Sequence, residues 1–370
     1  MTKAAELAKM GEVLTNSQIG GRRNIVINGA MQVAQRGTSS TGLGANATTY
    51  NTVDRFYHSA SGSTAGRFTM EQSTDAPNGF SNSIKLSCTT ADTSIAADEA
   101  LNLGTVLEGQ NVQQLKKGTS DAEKFTVSFY VKGNASATYS IEIYDGDNNR
   151  QLSQTFSVTT SWTRVILTFA GDTTGALGND NGASLYFQLW LHAGSTYNGG
   201  SLNTSWAAVT QNQRASSSST SFFDSTDRTF FITGFQVEVG SQATPFEHRS
   251  FGEELELCKR YYQSIGDRSS NHEKPLYETA AQDATDSTGT FHFFPPMRAT
   301  PTLETTGTAA DYKIYTNNSN YALASVPSFG SGSTQCGFVS AAVSSGLTAG
   351  EVCHVMGNND PAFIAFTAEL

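Results

Sequence analysis

From residue 25 onward, apolar residues recur at every second position, and this periodicity constrains the fold more than any other feature of the chain. Phe125, Val127, Phe129 and Val131 alternate with Thr126, Ser128 and Tyr130, and Tyr139, Ile141 and Ile143 alternate with Ser140, Glu142 and Tyr144. Thr163, Val165, Leu167 and Phe169 form a third such face, Leu185, Phe187, Leu189 and Leu191 a fourth, and Phe231, Phe235, Val237 and Val239 a fifth. A period of two puts alternate side chains on opposite faces of a strand, so each run has one face for a core. The turn Asp145-Gly146-Asp147-Asn148-Asn149 separates two of the strands, and no helical period lies between them. The pattern predicts a mainly β protein built on an antiparallel jelly-roll β-sandwich.

Composition agrees. Charged residues are only 15% of the 370, against about 25% in an ordinary globular chain, and Ser, Thr, Asn and Gly take their place. The net charge of −10 excludes the basic footprint of a nucleic-acid binder. No apolar run reaches the roughly 18 residues of a membrane-spanning helix, so no membrane insertion is expected. The start, Met-Thr-Lys-Ala-Ala-Glu-Leu-Ala-Lys, has no apolar core of the signal-peptide kind. Cys88, Cys258, Cys336 and Cys353 are far apart and read as thiols of a reducing cytoplasm, with a Cys336–Cys353 disulfide as the minor alternative.

Four segments follow from the pattern. Residues 1–24 hold a short helix with Ala4, Leu7, Met10 and Leu14 on one stripe, too short to stand alone in water and therefore in need of a partner. Residues 25–249 form the sandwich. Residues 250–265 form a linker helix: Ser250-Phe251-Gly252-Glu253 fits a capping box, and Leu255, Cys258, Tyr262 and Ile265 continue an apolar stripe. Residues 266–370 form a smaller C-terminal β-domain, with strands around Thr290–Pro296, Leu303, Tyr312–Tyr315, Cys336–Val343 and Ala362–Phe366. Two polar stretches, Gly171–Ser184 and Gly194–Asp227, exceed ordinary loop length and hold Trp206.

Catalytic signatures are missing: there is no G-x-S-x-G elbow, no H-E-x-x-H helix and no phosphate-binding loop. The six histidines are scattered, and neither an enzyme nor a cofactor is expected. Asp145, Asp147 and Asn149 have the opening spacing of a calcium loop, but Arg150 stands where the loop needs Gly and Phe156 where it needs Glu, so a solvated hairpin turn is the main reading. The most informative run is residues 185–192. With its leucines and Phe187 turned to the core, the other face carries Tyr186, Gln188, Trp190 and His192. Rings beside amides and imidazoles suit a sugar, which stacks on aromatics and hydrogen-bonds to polar edges, and they also suit a subunit interface or packing beneath a long loop.

Several stretches resemble tail-fibre and fibre-like virion proteins of tailed bacteriophages, including marine ones: residues 23–37 (Arg-Asn-Ile-Val-Ile-Asn-Gly-Ala-Met-Gln-Val-Ala-Gln-Arg-Gly), Thr52-Val53-Asp54-Arg55-Phe56, residues 234–250, Glu253 to Tyr262, and Pro296-Met297-Arg298-Ala299-Thr300-Pro301-Thr302. The stretch from Leu107 through Trp162 to Leu191 is also similar to carbohydrate-binding-module jelly rolls. The resemblance implies a virion location, a homotrimer, contact with other virion structural proteins through the N-terminus, and β-domains presented to a host-surface glycan. The alternatives are a purely structural head, neck or tail appendage and a glycan-cleaving tailspike, the last disfavoured by the absence of β-helix repeats.

Overall fold

The computed structural model describes residues 3–4, 23–266, 268, 272–360 and 362–370. Leu7, Met10 and Leu14 lie outside these residues, and Ala4 is exposed. Contacts divide the chain into two compact units, one centred on Thr38–Glu254 and one on Leu255–Glu369.

The first unit is a jelly-roll sandwich. Its strands are β1 (Ser39–Leu43), β2 (Ala47–Thr49), β3 (Tyr57–Ser61), β4 (Arg67–Ser73), β5 (Ser83–Thr90), β6 (Ala100–Glu108), β7 (Phe125–Gly133), β8 (Ala137–Asp145), β9 (Arg150–Val158), β10 (Thr163–Phe169), β11 (Ala183–Ala193), β12 (Ala207–Ala208) and β13 (Thr229–Val239). They form a six-stranded sheet in the order β1-β4-β5-β13-β7-β10 and a seven-stranded sheet in the order β12-β9-β8-β11-β6-β3-β2. The strand pairings of this unit are antiparallel; β7 and β10 pair from Val131–Thr163 to Phe125–Phe169, and β8 and β9 from Ala137–Val158 to Asp145–Arg150 across the expected turn. The alternating runs meet in one core: Val127, Phe129, Ile141, Ile143, Leu185, Phe187, Leu189, Leu191, Phe235 and Val237 are all buried there. Phe129 and Phe235 stack face to face, 5.5 Å apart.

Asn24 and Asn28, ahead of β1, stitch this sandwich together. Asn24 accepts from the backbone N–H groups of Val26 and Val237 and donates to the Phe235 carbonyl, and Asn28 donates to the Val33 and Asp54 carbonyls while accepting from the Val33 N–H. Both side chains sit where a chain bend would leave buried backbone groups without partners, which explains asparagine at each place.

Helix α1 (Ser195–Asn198) interrupts the long loop after β11, and helix α2 (Phe251–Lys259) begins where the capping box places it, with the Ser250 hydroxyl accepting from the Glu253 N–H at 3.3 Å. The sequence reading carries this helix to residue 265, but it ends at Lys259: Tyr262–Ile265 is strand β14, paired with Ile364–Thr367. Pairing with β23 on one edge, with the Gln35 side chain meeting the Tyr262 carbonyl and the Ser264 N–H on the other, and burial of Tyr262 outweigh the weak helical stripe.

The second unit holds β14, β15 (Pro275–Ala281), β16 (Asp286–His292), β17 (Thr302–Thr305), β18 (Tyr312–Thr316), β19 (Ser319–Ala322), β20 (Ser328–Gly330), β21 (Cys336–Ala342), β22 (Val352–Gly357) and β23 (Ile364–Thr367). A three-stranded sheet has the order β14-β23-β17, and a seven-stranded one β19-β18-β22-β15-β16-β21-β20. Its core gathers Tyr312, Ile314, Val339, Cys353, Val355, Ile364 and Phe366. None of the four cysteines forms a disulfide. Among the described residues, no helix is long and apolar enough to cross a membrane.

Candidate functional site

The outer face of the seven-stranded sheet of the sandwich carries the side chains that the sequence singles out. Register fixes the rows: Tyr186 pairs with Val106 on one side and Tyr144 on the other, Gln188 with Gly104 and Glu142, and Trp190 with Asn102 and Ser140. Gly104 in turn faces Tyr57 across β3 and β6. A Cβ on Gly104 would lie 2.9 Å from the Tyr57 ring, so glycine here is the space into which that ring folds.

The face divides in two. In the half toward the C-terminal end of β11, the loop Gly194–Asp227 closes over the sheet. Its backbone is sewn down by Thr220 N–H to Thr138 O at 2.8 Å, Phe222 N–H to Leu191 O at 2.8 Å and Ser153 N–H to Asn203 O at 2.7 Å, and Phe222 and Phe223 pass into the core. Trp190 is therefore buried, only 2% exposed, against Ala100, Ala193, Ala215 and Tyr197. Its indole N–H donates to Glu142 Oε2 at 2.9 Å. His192 is buried as well, with Nδ1 2.8 Å from the Ser221 hydroxyl and Nε2 3.3 Å from Glu99 Oε2. Burial pushes the imidazole below its ordinary pKa, and the adjacent Glu99 carboxylate pulls the other way. Of the three readings left open by the sequence, packing beneath a long loop describes Trp190 and His192.

The other half stays accessible. Tyr144 and Tyr186 are half-buried, their ring centroids 5.4 Å apart and their planes inclined at 45°. Burial and the neighbouring Tyr144 and Asp147 raise the Tyr186 phenol above its usual value. Arg214, reaching back from the long loop, binds Glu142 with two N–H···O contacts, Nε to Oε1 at 2.8 Å and Nη2 to Oε2 at 3.0 Å, and also donates to Gln188 Oε1 at 3.2 Å. Its guanidinium lies 5.4 Å from the Tyr144 ring centroid and 5.1 Å from that of Trp190. Gln188 Nε2 then donates to the Tyr57 hydroxyl at 3.0 Å. Glu142 is fully buried, so one carboxylate fixes the positions of Trp190, Arg214 and, through Arg214, Gln188. The result is a shelf of two tyrosines bordered by an amide and a guanidinium that are themselves held by hydrogen bonds. Tyr144, Tyr57, Glu142 and Arg214 are absent from the sequence-level candidates. Tyr144 and Glu142 carry a signal there, as outward residues of one strand; joining them to Tyr186 and Gln188 requires the register.

Trp206 is half-buried elsewhere, its indole N–H donating to the Ala170 carbonyl at 2.7 Å and its ring 5.2 Å from the Lys117 ammonium. That ammonium settles the fate of the calcium-like turn. Lys117 Nζ sits 2.5 Å from Asp145 Oδ2, 3.1 Å from Asp172 Oδ2 and 2.9 Å from the carbonyls of both Thr174 and Gly175. Asp147 accepts from the Gly178 N–H at 2.8 Å, and Asn149 Oδ1 faces the Tyr144 hydroxyl at 3.4 Å. The three candidate ligands thus have three separate partners, and Asp145 already neutralises a cation supplied by the chain. Among the described residues, no cluster of three or more His, Cys, Asp or Glu side chains could hold a metal ion.

No family model matches the chain, and no curated protein does. Solved structures similar to it include a family 4 carbohydrate-binding module, at 11% identity over 58% of this chain and 98% of that one with a TM-score of 0.29. A family 61 module in complex with β-1,4-galactotriose shares 8% identity over 59% of this chain and 100% of its own, with a TM-score of 0.30. The enzymatically active domain of a tailspike protein from bacteriophage CBA120 shares 11% identity over 58% of this chain, but only 21% of that one, with a TM-score of 0.28. Similarity at this level leaves the function to be argued from the residues themselves.

Proposed function

We propose that the protein is a fibre-type component of a tailed-bacteriophage virion and that its sandwich holds a host-surface glycan on the Tyr144/Tyr186 shelf. The observation that carries the glycan part is the pairing of two half-exposed tyrosines on adjacent strands with Gln188 and Arg214 already fixed beside them. Sugar rings offer C–H faces to aromatic planes and hydroxyls to amides, and a shelf whose polar groups are held in advance loses little side-chain entropy on binding. The protein on this reading binds and does not catalyse. The virion part rests on the sequence resemblance. With it come assembly as a homotrimer and attachment to other virion structural proteins through residues 1–24 and the Ala4/Leu7/Met10/Leu14 stripe.

A glycan array probed with the whole protein tests the binding, with Tyr144→Ala/Tyr186→Ala as the control. Sugars retained by the native chain and lost by the variant support the reading. An array with no retained sugar leaves the structural-appendage alternative, and sugar release into solution would mean a tailspike-like hydrolase.

A further inference from the structure

An arginine beside an aromatic shelf looks like a receptor for an acidic sugar, but the bonding of Arg214 says otherwise. It commits two N–H groups to Glu142, Nε to Oε1 at 2.8 Å and Nη2 to Oε2 at 3.0 Å, and Glu142 is fully buried. A two-point pair of this kind cancels the guanidinium charge before any ligand arrives. The cations around the β8–β9 turn are engaged in the same way. Lys117 is buried between Asp145 and Asp172, and Arg150 grips Asp172 through Nε at 2.6 Å and Nη2 at 3.0 Å.

Two carboxylates at this end of the sheet have no such partner. The turn after β8 borders the shelf, since a Cβ on Gly146 would lie 3.0 Å from Tyr186 Cε2. The next residue, Asp147, is exposed, and its Oδ2 accepts from the Gly178 N–H at 2.8 Å. Asp180 is exposed as well and accepts from the Gly182 N–H at 2.8 Å. Both carboxylates lie within 3.6 Å of one point, the Cβ position of Gly178. Among the described residues, neither pairs with a lysine, arginine or histidine. The field of Asp147 reaches the rings: after burial and Tyr144, it is the third influence that holds the proton on the Tyr186 phenol. A carboxylated or sulfated sugar laid on the shelf therefore meets negative charge and finds no free cation. An ammonium gains from the carboxylates and from the faces of two electron-rich rings.

We propose that the Tyr144/Tyr186 shelf selects sugars carrying a free amino group over their neutral N-acetylated counterparts and excludes acidic sugars, with Asp147 and Asp180 as the residues that set this preference. The inference rests on the reading of the shelf as a glycan site and names the class of glycan it holds.

An array of amine-bearing glycans, their N-acetylated counterparts, and carboxylated and sulfated glycans tests it, probed with the whole protein at low and high salt. At low salt the native chain is expected to bind amine-bearing sugars about fivefold or more tightly than the N-acetylated ones. The margin should shrink as salt screens the carboxylates. Asp147→Asn/Asp180→Asn should remove it. Asparagine keeps an oxygen to accept from Gly178 and Gly182, so the local hydrogen bonds survive; if thermal melting shows the double variant unfolded, Asp147→Asn alone is read in its place. Asp98→Asn/Asp227→Asn, which removes two exposed charges elsewhere on the sandwich, should keep the margin. An array on which the native chain retains no sugar overturns the reading of the shelf, and this inference with it. Retention led by neutral or acidic sugars, or a margin that survives in a folded Asp147 variant, overturns this inference alone and leaves the shelf a glycan site.

Discussion

Lys117 shows how a single residue can occupy the place beside a turn whose spacing only begins like a calcium loop. Its ammonium meets two carboxylates and two carbonyls with the side chain almost wholly buried, and Arg150 holds Asp172 from the other side at 2.6 Å. Removing the ammonium leaves Asp145 and Asp172 facing each other without the charge between them. Lys117→Met should therefore cost about 3–5 kcal/mol of unfolding free energy, the usual penalty for breaking a buried pair, as urea denaturation would show. Chelation by EDTA should leave the native protein's transition unchanged. Trp190 makes a second case. A buried indole with its N–H satisfied predicts that Trp190→Ala loses about 3–5 kcal/mol to the cavity, so a variant as stable as the native chain would refute the packing described here. Protons act at this scale as well. Burial lowers the His58 imidazole from 6.5 to about 4, so the folded state keeps it neutral while the unfolded chain takes up a proton. Its stabilising effect is complete above pH 6.5 and is lost as pH falls toward 4, by at most about 3 kcal/mol. His58→Phe should flatten that part of the stability–pH curve.

At the scale of elements, the strands were legible in the sequence because each has one face in a shared core, and a period of two survives wherever that holds. Phe125, Phe129, Leu185 and Phe187 could hardly have been placed otherwise. Less of the site was legible. Trp190 sits at an outward position of its strand and is buried nonetheless, because a loop with no periodicity folds over it, and nothing local in residues 194–227 announces where they go. The same loop delivers Arg214 to Glu142, a pairing separated by 72 residues. Tyr262 departs from its pattern for the reverse reason: four residues of stripe continue a helix on paper, but the strand at Ile364–Thr367 offers Tyr262–Ile265 a ladder partner. Because Arg214 ties the loop to the sheet through Glu142, Arg214→Ala should raise amide exchange across residues 195–220 by about tenfold or more while the sandwich core keeps its protection. Unaltered exchange would mean that the backbone bonds alone hold the loop.

For the whole molecule, the tyrosine shelf on the sandwich stands out from an acidic, sparsely charged surface. It is suited to a small polar ligand. The central claim is that the shelf binds sugar. Calorimetric titration of the native protein with the best glycan from an array, repeated on Tyr144→Ala/Tyr186→Ala, tests it most directly. The account predicts saturable binding by the native chain, and loss of at least tenfold in affinity in a variant whose thermal transition is little changed, since stacking on each ring contributes about 1 kcal/mol or more. Equal affinity in the two proteins would contradict it.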